Sequence, residues 1–387
     1  MTHPDAVVAG AGPAGLSAAE ALARRGRSVV VLEQNHEIGS PIRTSGGSFI
    51  DELSALGIPE HLYHPISRVI FRSQANQARF EFSNPALCVM DVRGVFQFLA
   101  ERAIAAGASI QLATAAAEPM IEDGVVRGVR TRDGEIRCRV LMDATGYRSA
   151  LLKKAGLAPG FRRFGVGAEY DLYAPRCDQS EVILAVGDQV APSGYAWIFP
   201  WGRHRVRAGV GIIHPDSAAD PADYLDRFVA SAPSLEKAQP VEFHTGLIPS
   251  EPFAAAFAGD GILGVGDAAG HASSLLGEGI RWAMHAGRMA GEIAADALDR
   301  GDVSRASLAR FETAWSDRYG ANLRLAHRIN QRIARWDDRK WDDRLELVKM
   351  LTPAQFIEAL KSNLTGKWLW RFLATSGIRL AAYATLK

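Results

Sequence analysis

The sequence predicts an α/β fold: a Rossmann-like domain, a second sheet-based domain and a C-terminal helical region. Three observations carry this prediction. A strand, a glycine-rich turn and a helix open the chain, and a second strand–loop–helix unit follows at 261–298. Between them, aromatic residues alternate along a strand at 195–199. At 387 residues the chain is long enough for two or three domains.

The opening segment has the spacing of a dinucleotide-binding βαβ unit. Ala6–Ala9 reads as a short buried parallel strand, and G-x-G-x-x-G follows at 10–15. A helix to Arg25 and a second strand at 28–32 lead to Glu33. The glycines permit a tight turn and close backbone approach to a pyrophosphate, which the helix N-terminus attracts.

An acidic residue at the end of the second strand can accept hydrogen bonds from adenosine ribose hydroxyls. Strand, loop, helix, strand and acid occur in register, so we expect a dinucleotide here. The motif alone does not choose between FAD and NAD. The candidate cofactor-binding residues of this segment are Gly10, Gly12, Pro13, Ala14, Gly15, Glu33 and Gln34.

A second segment favours FAD. A short strand at 261–265 ends in Gly266 and Asp267, and Gly277 and Gly279 lead into a helix from Ile280 to about Leu298. Asp267 can bind the ribityl chain. The helix N-terminus can direct N–H groups at the flavin N1/O2 edge, where its dipole stabilises the negative charge of reduced flavin.

Together these segments resemble the flavoprotein superfamily that includes p-hydroxybenzoate hydroxylase and geranylgeranyl reductase. The resemblance implies that Arg93, in the helix at 91–102, contacts FAD. It also implies that the turn at 141–149, with Gly146, lies near the pyrophosphate. The hydroxylases usually carry an acid directly before that glycine, where this chain has Thr145, which weakens a hydroxylase assignment.

The stretch 192–200 fits P-x-x-Y-x-W-x-F-P, a signature that geranylgeranyl reductases carry. Tyr195, Trp197 and Phe199 alternate and so share one face of a strand. An aromatic face beside a flavin makes a wall for an apolar substrate, so we predict that all three contact it. Flavin-dependent halogenases have a W-x-W-x-I-P pattern at a similar place, which Tyr195 and Phe199 do not match.

The early loop departs from the reductase pattern. Several reductases carry a cysteine before glycines there, and this chain has Ser45 before Gly46 and Gly47. A mechanism that needs a cysteine beside the flavin is therefore in doubt. Arg43 in the same loop could meet the flavin or a substrate head group, although loop arginines are often only solvated.

The pattern of elements divides the chain. A discontinuous FAD-binding domain is predicted at 1–65, 88–155 and 255–300, and a substrate domain at 66–87 and 156–254. A C-terminal helical region follows at 301–387. After Glu358 all charged side chains are basic. This tail resembles an interfacial helix that could contact a membrane peripherally, and packing on its own domain is the alternative.

Composition excludes other classes. The formal charge of +1 argues against nucleic-acid partners. Cys88, Cys138 and Cys177 fit neither a disulfide framework nor a zinc site, which indicates a reducing cytoplasm. We expect no signal peptide, no membrane span and no metal site, because His61 and His64 lack an evident third ligand.

The resemblance implies an FAD-dependent oxidoreductase. Reduced flavin would deliver a hydride to a carbon–carbon double bond of a prenyl or other apolar substrate. Tyr195 and Trp197 are the catalytic candidates, with Tyr195 as proton donor. NADPH or ferredoxin would both fit as electron donor. The alternatives are an FAD monooxygenase or halogenase, and a membrane-surface protein that retains FAD structurally.

Overall fold

The structure is a computed structural model that describes residues 3–158 and 160–364. Its strands are β1 (Ala6–Ala9), β2 (Val29–Leu32), β3 (Gly47–Phe49), β4 (Tyr63–Ile66), β5 (Arg68–Arg72), β6 (Gln77–Glu81), β7 (Leu87–Met90), β8 (Ser109–Gln111), β9 (Glu118–Glu122), β10 (Val125–Thr131), β11 (Gly134–Arg137), β12 (Val140–Asp143), β13 (Phe164–Tyr173), β14 (Glu181–Gly187), β15 (Ala191–Gly202), β16 (Arg205–His214), β17 (Gln239–Pro249), β18 (Ala258–Gly259) and β19 (Ile262–Gly264).

The α-helices alternate with the strands at first and then follow one another. They are α1 (Pro13–Arg24), α2 (Ile50–Ala55), α3 (Val92–Ala105), α4 (Ala150–Lys154), α5 (Pro221–Ser231), α6 (Ile280–Asp299), α7 (Arg305–Leu308), α8 (Arg310–Trp315), α9 (Ala321–Ile333), α10 (Asp338–Val348) and α11 (Pro353–Leu360).

A six-stranded sheet in the order β18-β19-β12-β1-β2-β8 forms the Rossmann-like part. β19, β12, β1, β2 and β8 are parallel, and β18 pairs antiparallel at one edge. Every residue of β1 and β12 is buried, which is why these strands are almost wholly apolar. The predicted Rossmann-like α/β fold is confirmed.

Glycines allow α6 to pack directly on α1. A Cβ on Gly287 would overlap the Ala14 carbonyl oxygen, and a Cβ on Gly291 would lie 2.6 Å from the Ala18 carbonyl oxygen. Real Cβ atoms do not approach backbone this closely, so this close approach of the two helices requires glycine at both positions. This contact joins the start of the chain to residues more than 250 positions later.

A seven-stranded sheet in the order β17-β13-β16-β15-β14-β5-β6 forms the second layer. Its strands pair antiparallel except β14 with β5. One face of β15 and β16 packs on α5 through residues such as Ile198, Val210 and Phe228. The opposite face carries Tyr195, Trp197 and Phe199, as the alternation predicts.

The helices after residue 300 pack against both sheets. On the seven-stranded sheet, Phe356 of α11 stacks on Phe80 at 3.9 Å between ring centroids, and Trp341 of α10 meets Phe71 edge-on at 6.0 Å. The predicted interfacial segment falls largely outside the described residues. It includes Lys367, Trp368, Trp370, Arg371, Arg379 and Lys387.

Cys88, Cys138 and Cys177 are buried and free. Within 3–158 and 160–364, no helix is both long and apolar enough to cross a membrane. The same residues contain no cluster of three or more His, Cys, Asp or Glu side chains placed to hold a metal ion.

His271 is buried in the core between the sheet and the C-terminal helices, where protonation of its ring would be unfavourable. Its side chain is 0% exposed, and its ring lies 4.3 Å from Trp315 and 4.9 Å from Phe257 between centroids. Neither ring nitrogen has a hydrogen-bond partner in the part of the chain that is described. Burial therefore lowers the pKa of His271 to about 3.

Because this pKa lies below that of an unfolded histidine, the folded state loses stability as pH falls from about 6.5 towards 3. Between pH 7.5 and 4.5, we expect the unfolding free energy of wild type to fall by about 2–3 kcal/mol more than that of His271→Leu. Urea denaturation at both pH values measures this. The exposed His36→Leu is the control, and equal pH dependence in wild type and H271L would contradict the account.

Candidate active site

The turn between β1 and α1 requires glycine at two positions. Gly10 has φ +112°, and a Cβ there would overlap the Ala144 carbonyl oxygen. A Cβ on Gly15 would overlap the Gly10 carbonyl oxygen. Gly12 differs, because its backbone is ordinary (φ −79°) and no atom lies within 4 Å of a Cβ placed on it. The space beside Gly12 is therefore open at the N-terminus of α1.

That open space faces hydrogen-bond donors. Gly12 is the N-cap of α1 and supplies no side-chain cap, and Pro13 opens the first turn. The N–H groups of the first turn have no intrahelical acceptors, so they and the helix dipole favour an anion. Gly12, Pro13, Ala14 and Gly15 thus form a cradle with the geometry that a pyrophosphate needs.

Glu33 lies beside this cradle. Its Oε2 accepts a hydrogen bond from the Ala11 N–H at 2.9 Å, and its Oε1 accepts from the Asn35 N–H at 2.9 Å. The side chain is 9% exposed, and the neighbouring Gln34 is exposed. The carboxylate thus ties the phosphate loop to the end of β2, where a ribose would follow the pyrophosphate. Its contact with a ribose stays a prediction.

Gly266 and Asp267 meet the same cradle from the end of β19. Gly266 has φ +64°, and a Cβ on it would lie 2.7 Å from Ala14 Cβ. The Asp267 carboxylate has no hydrogen-bond donor among the described residues, and burial raises its pKa to about 6. A contact between Asp267 and a ribityl chain stays a prediction.

The N-terminus of α6 completes the cradle. Gly279 is its N-cap and gives no side-chain cap, so the N–H groups at Gly279 and Ile280 remain open. A Cβ on Gly279 would lie 3.2 Å from Asp267 Oδ1. Residues 12–15, 266–267 and 277–280 therefore form one contiguous surface. That this surface holds FAD stays a prediction.

The remaining predicted FAD contacts lie on loops and a helix start. Arg93 is 40% exposed, with its Nη1 3.6 Å from Glu37 Oε1. Arg43 is exposed, and its carbonyl oxygen packs on Gly246 of β17. Gly146 has φ +80° and open space around it. Whether these three residues contact FAD stays a prediction.

Asp143 is a residue of this site that the sequence interpretation missed. Its carboxylate is 0% exposed and accepts from Thr145 Oγ1 at 2.6 Å and from the Leu151 and Leu152 N–H groups. These bonds fix the turn that carries Gly146. The signal was present as an acidic residue at the end of a buried parallel strand.

A cavity of about 100 Å³ lies next to the N-terminus of α6. Its wall is mostly apolar or glycine. The lining residues are Thr44, Ser45, Gly46, Gly47, Ser48, Phe49, Leu87, Cys88, Val89, Val182, Leu184, Tyr195, Phe199, Leu276, Gly277, Glu278, Gly279, Ile280 and Leu360.

The aromatic residues of β15 lie together but take different positions. The ring centroids are 5.4 Å apart for Tyr195 and Trp197, and 6.1 Å apart for Trp197 and Phe199. Tyr195 and Phe199 line the cavity, whereas Trp197 is 7% exposed and lies over Gly209 and Gly211 of β16. Trp197 is thus positioned behind the cavity wall.

A buried polar network holds Trp197 in place. Its Nε1–H donates to Glu169 Oε2 at 2.7 Å, and Glu169 Oε1 lies 3.3 Å from His244 Nδ1. His244 Nε2 lies 2.9 Å from Glu242 Oε2. Burial lowers the pKa of His244, but the bonds to both glutamates outweigh it and raise the pKa overall. The sequence interpretation missed Glu169 and His244, although strand alternation places both on the sheet face that carries the Trp197 indole.

Tyr195 is tied to the loop before α6. Its hydroxyl donates to the Leu276 carbonyl oxygen at 2.5 Å, and burial raises the pKa of Tyr195 above its ordinary value. The cavity also contains a thiol, at Cys88 of β7, whose pKa is raised by burial. Ser45 lines the cavity at the position where the family pattern suggests cysteine.

Comparison with known proteins agrees with this geometry. The family model for the geranylgeranyl reductase catalytic domain matches residues 165–248, which include β15 and its neighbouring strands. The model for FAD-dependent oxidoreductases matches residues 5–166, which include the phosphate cradle.

Two curated relatives match along most of their length. The chain is 35% identical to digeranylgeranylglycerophospholipid reductase 2 of Methanothermobacter thermautotrophicus, over 82% of this chain and 85% of that protein. It is 32% identical to digeranylgeranylglycerophospholipid reductase 1 of Methanopyrus kandleri, over 92% of this chain and 96% of that one.

A solved structure shares the fold. It is a geranylgeranyl bacteriochlorophyll reductase-like protein from Thermoplasma acidophilum, with a TM-score of 0.85, 22% identity and 96% coverage of each chain. The relatives and both family models confirm the resemblance predicted from the sequence. The chain belongs to the geranylgeranyl reductase family of FAD-dependent oxidoreductases.

Proposed function

We propose that the chain uses reduced FAD to saturate carbon–carbon double bonds in the prenyl chains of a lipid. The single observation that carries the proposal is the apolar cavity between the loop at 44–49, the aromatic face of β15 and the N-terminus of α6. The relatives named digeranylgeranylglycerophospholipid reductases support a lipid with prenyl chains as substrate.

When bound, reduced FAD would supply the hydride. We propose that the cradle holds the cofactor through backbone donors for the diphosphate, Glu33 for the ribose and Asp267 for the ribityl chain. The predicted holding residues are Gly10, Gly12, Pro13, Ala14, Gly15, Glu33, Gln34, Arg43, Arg93, Gly146, Gly266, Asp267, Gly277, Gly279 and Ile280.

The protein side chains of the cavity would bind the prenyl chain and exclude water. Tyr195 and Phe199 supply aromatic surface, and Leu184 and Leu360 supply aliphatic surface. Trp197 contributes by holding the strand in place through its bond to Glu169. The contacts therefore support Tyr195 as wall and Trp197 as a positioning residue, and direct catalytic roles for them stay predictions.

The family favours a reductase over the alternative, a monooxygenase or halogenase. NADPH or ferredoxin would both fit as the electron donor, and the described residues contain a single G-x-G-x-x-G turn after a parallel strand. We propose a cytoplasmic protein, since its cysteines are free.

We further propose that the chain contacts a membrane peripherally. Four basic and no acidic side chains follow Leu364. On the described surface, α9 carries Arg324, Arg328 and Arg332 at four-residue spacing, and Arg335 follows beside Trp336. Basic side chains so arranged attract anionic lipid head groups.

Gly12→Ala tests the cradle. The new methyl group would meet no protein atom but would occupy the space proposed for the pyrophosphate. We expect the FAD Kd to rise at least about 10-fold, or ~1.4 kcal/mol, with an unchanged melting temperature of the FAD-free chain. Gly15→Ala is the contrast, because it should lower that melting temperature. G12A that binds FAD as tightly as wild type would refute the cradle.

The reaction can be tested without oxygen. Dithionite-reduced, FAD-loaded chain should saturate a phospholipid with geranylgeranyl chains, which mass spectrometry detects as two hydrogens gained per double bond. Phe199→Trp should lower kcat/KM at least about 10-fold by filling the cavity, as one ill-fitting side chain in an apolar pocket costs ~1–3 kcal/mol. Phe243→Trp, on an exposed residue, is the control. Product formation only with oxygen would sink the proposal.

Membrane contact is tested by flotation. The full chain should float with vesicles containing anionic lipid and not with neutral vesicles, and the association should weaken with salt. A chain that ends at Leu364 keeps every element described above and should float less. Equal flotation of both chains would show that the C-terminal tail does not contribute to membrane binding.

A further inference from the structure

We infer that Glu278 is the general acid of this reaction: its carboxyl group donates the proton to the alkene carbon that does not receive the hydride. The inference rests on the proposed function and deepens it. The sequence interpretation treated the residues around Glu278 only as backbone donors to the flavin. Among the cavity-lining residues, Glu278 supplies the carboxyl group.

The position of Glu278 suits this role. It lies directly before α6, lines the cavity, and its side chain is 10% exposed. Oε1 accepts a hydrogen bond from Arg281 Nε at 2.6 Å. Oε2 is buried and has no hydrogen-bond partner in the described residues. One oxygen is therefore fixed, and the other is left with unused hydrogen-bonding capacity.

The surroundings shift the pKa of Glu278 upward. Burial raises the pKa of Glu278, and it outweighs the opposite effect of Arg281. A general acid works best when its pKa lies near the operating pH. Five titratable or charged groups interact electrostatically with Glu278. They are Arg281 and His285 of α6, Glu52 of α2, Tyr195 of β15 and Cys88 of β7.

Arg281 would stabilise the carboxylate left after proton transfer. Its side chain is 3% exposed, and its Nη2 donates to the Lys361 carbonyl oxygen at 2.7 Å. The guanidinium also lies 4.1 Å from the Trp282 ring centroid. Arg281 is therefore held rigidly beside Glu278. Its positive charge attracts the ionised Glu278 carboxylate more strongly than the neutral carboxyl group.

The step balances. The alkene takes a hydride at one carbon from reduced flavin, which is oxidised by two electrons. The π bond breaks as the second carbon forms a C–H bond with the proton of Glu278, whose O–H bond breaks. The alkene becomes an alkane unit, and the Glu278 carboxylate regains a proton from water before the next turnover.

Other donors in the cavity suit the step less well. The Tyr195 hydroxyl already donates to the Leu276 carbonyl oxygen, and its pKa is raised above an ordinary tyrosine's. Burial likewise raises the pKa of the Cys88 thiol. Both groups are weaker acids than a carboxyl, so each would give up its proton at a greater energetic cost.

Glu278→Gln tests the inference in the full chain loaded with FAD and reduced by dithionite. We expect the single-turnover rate of double-bond reduction to fall at least about 100-fold, as removal of a general acid does. FAD affinity and the flavin spectrum should stay within about twofold, because the substitution keeps the size of the side chain and leaves the backbone before α6 unchanged.

The pH profile separates proton donation from positioning. The wild-type rate should fall as pH rises through the pKa of Glu278, whereas the rate of E278Q should not fall over that pH range. Glu52→Gln is the matched control, since Glu52 contacts His285 and lies 3.7 Å from Arg281 but does not line the cavity. The rate of E52Q should fall with rising pH as the wild-type rate does. Glu278→Asp, which keeps a carboxyl, should recover part of the rate.

A second readout needs no turnover. In the FAD-free chain, infrared difference spectra of wild type against E278Q should show a protonated carboxyl band that disappears as pH rises. E278Q with a wild-type rate, or a missing band, would overturn the inference while leaving the proposed function intact. A wild-type chain that reduces no double bond would overturn both.

Discussion

The close packing of α1 on α6 is the constraint on which the site depends. Gly287 and Gly291 let the backbone of α6 approach that of α1 more closely than any side chain allows. That approach places Gly266 against Ala14 and brings Asp267 and Gly279 to the phosphate cradle. Two segments far apart in the chain thereby become one surface, where we propose that FAD binds.

The polar cradle ends where the apolar cavity begins. The carboxylate of Asp267 lies beside Gly279 at the N-terminus of α6. Aromatic and aliphatic side chains line the cavity next to the same N-terminus. Glu278 and Arg281 stand at this junction, so an ionisable pair is held where a hydride donor and an apolar acceptor would meet. Low polarity there strengthens each electrostatic interaction.

The sequence predicts the local parts of this arrangement well. The part of the cradle at 10–15 lies in one strand–turn–helix unit whose glycines have separate steric roles, and the face shared by Tyr195, Trp197 and Phe199 follows from strand alternation alone. The network of Trp197, Glu169 and His244 joins three strands, so no periodicity within one segment reveals it. The position of Trp197 behind the cavity wall likewise depends on Gly209 and Gly211 of another strand. The division into domains stays a prediction.

A crystal structure of the chain with FAD and a prenyl lipid tests the central claim most directly. The account predicts the flavin ring between the loop at 44–47 and Gly277–Ile280, with the lipid chain against Tyr195 and Phe199. One carbon of a double bond should lie about 3.5 Å from the flavin N5, and the other should face Glu278. A flavin ring that does not border this cavity, or a lipid bound away from it, would contradict the account.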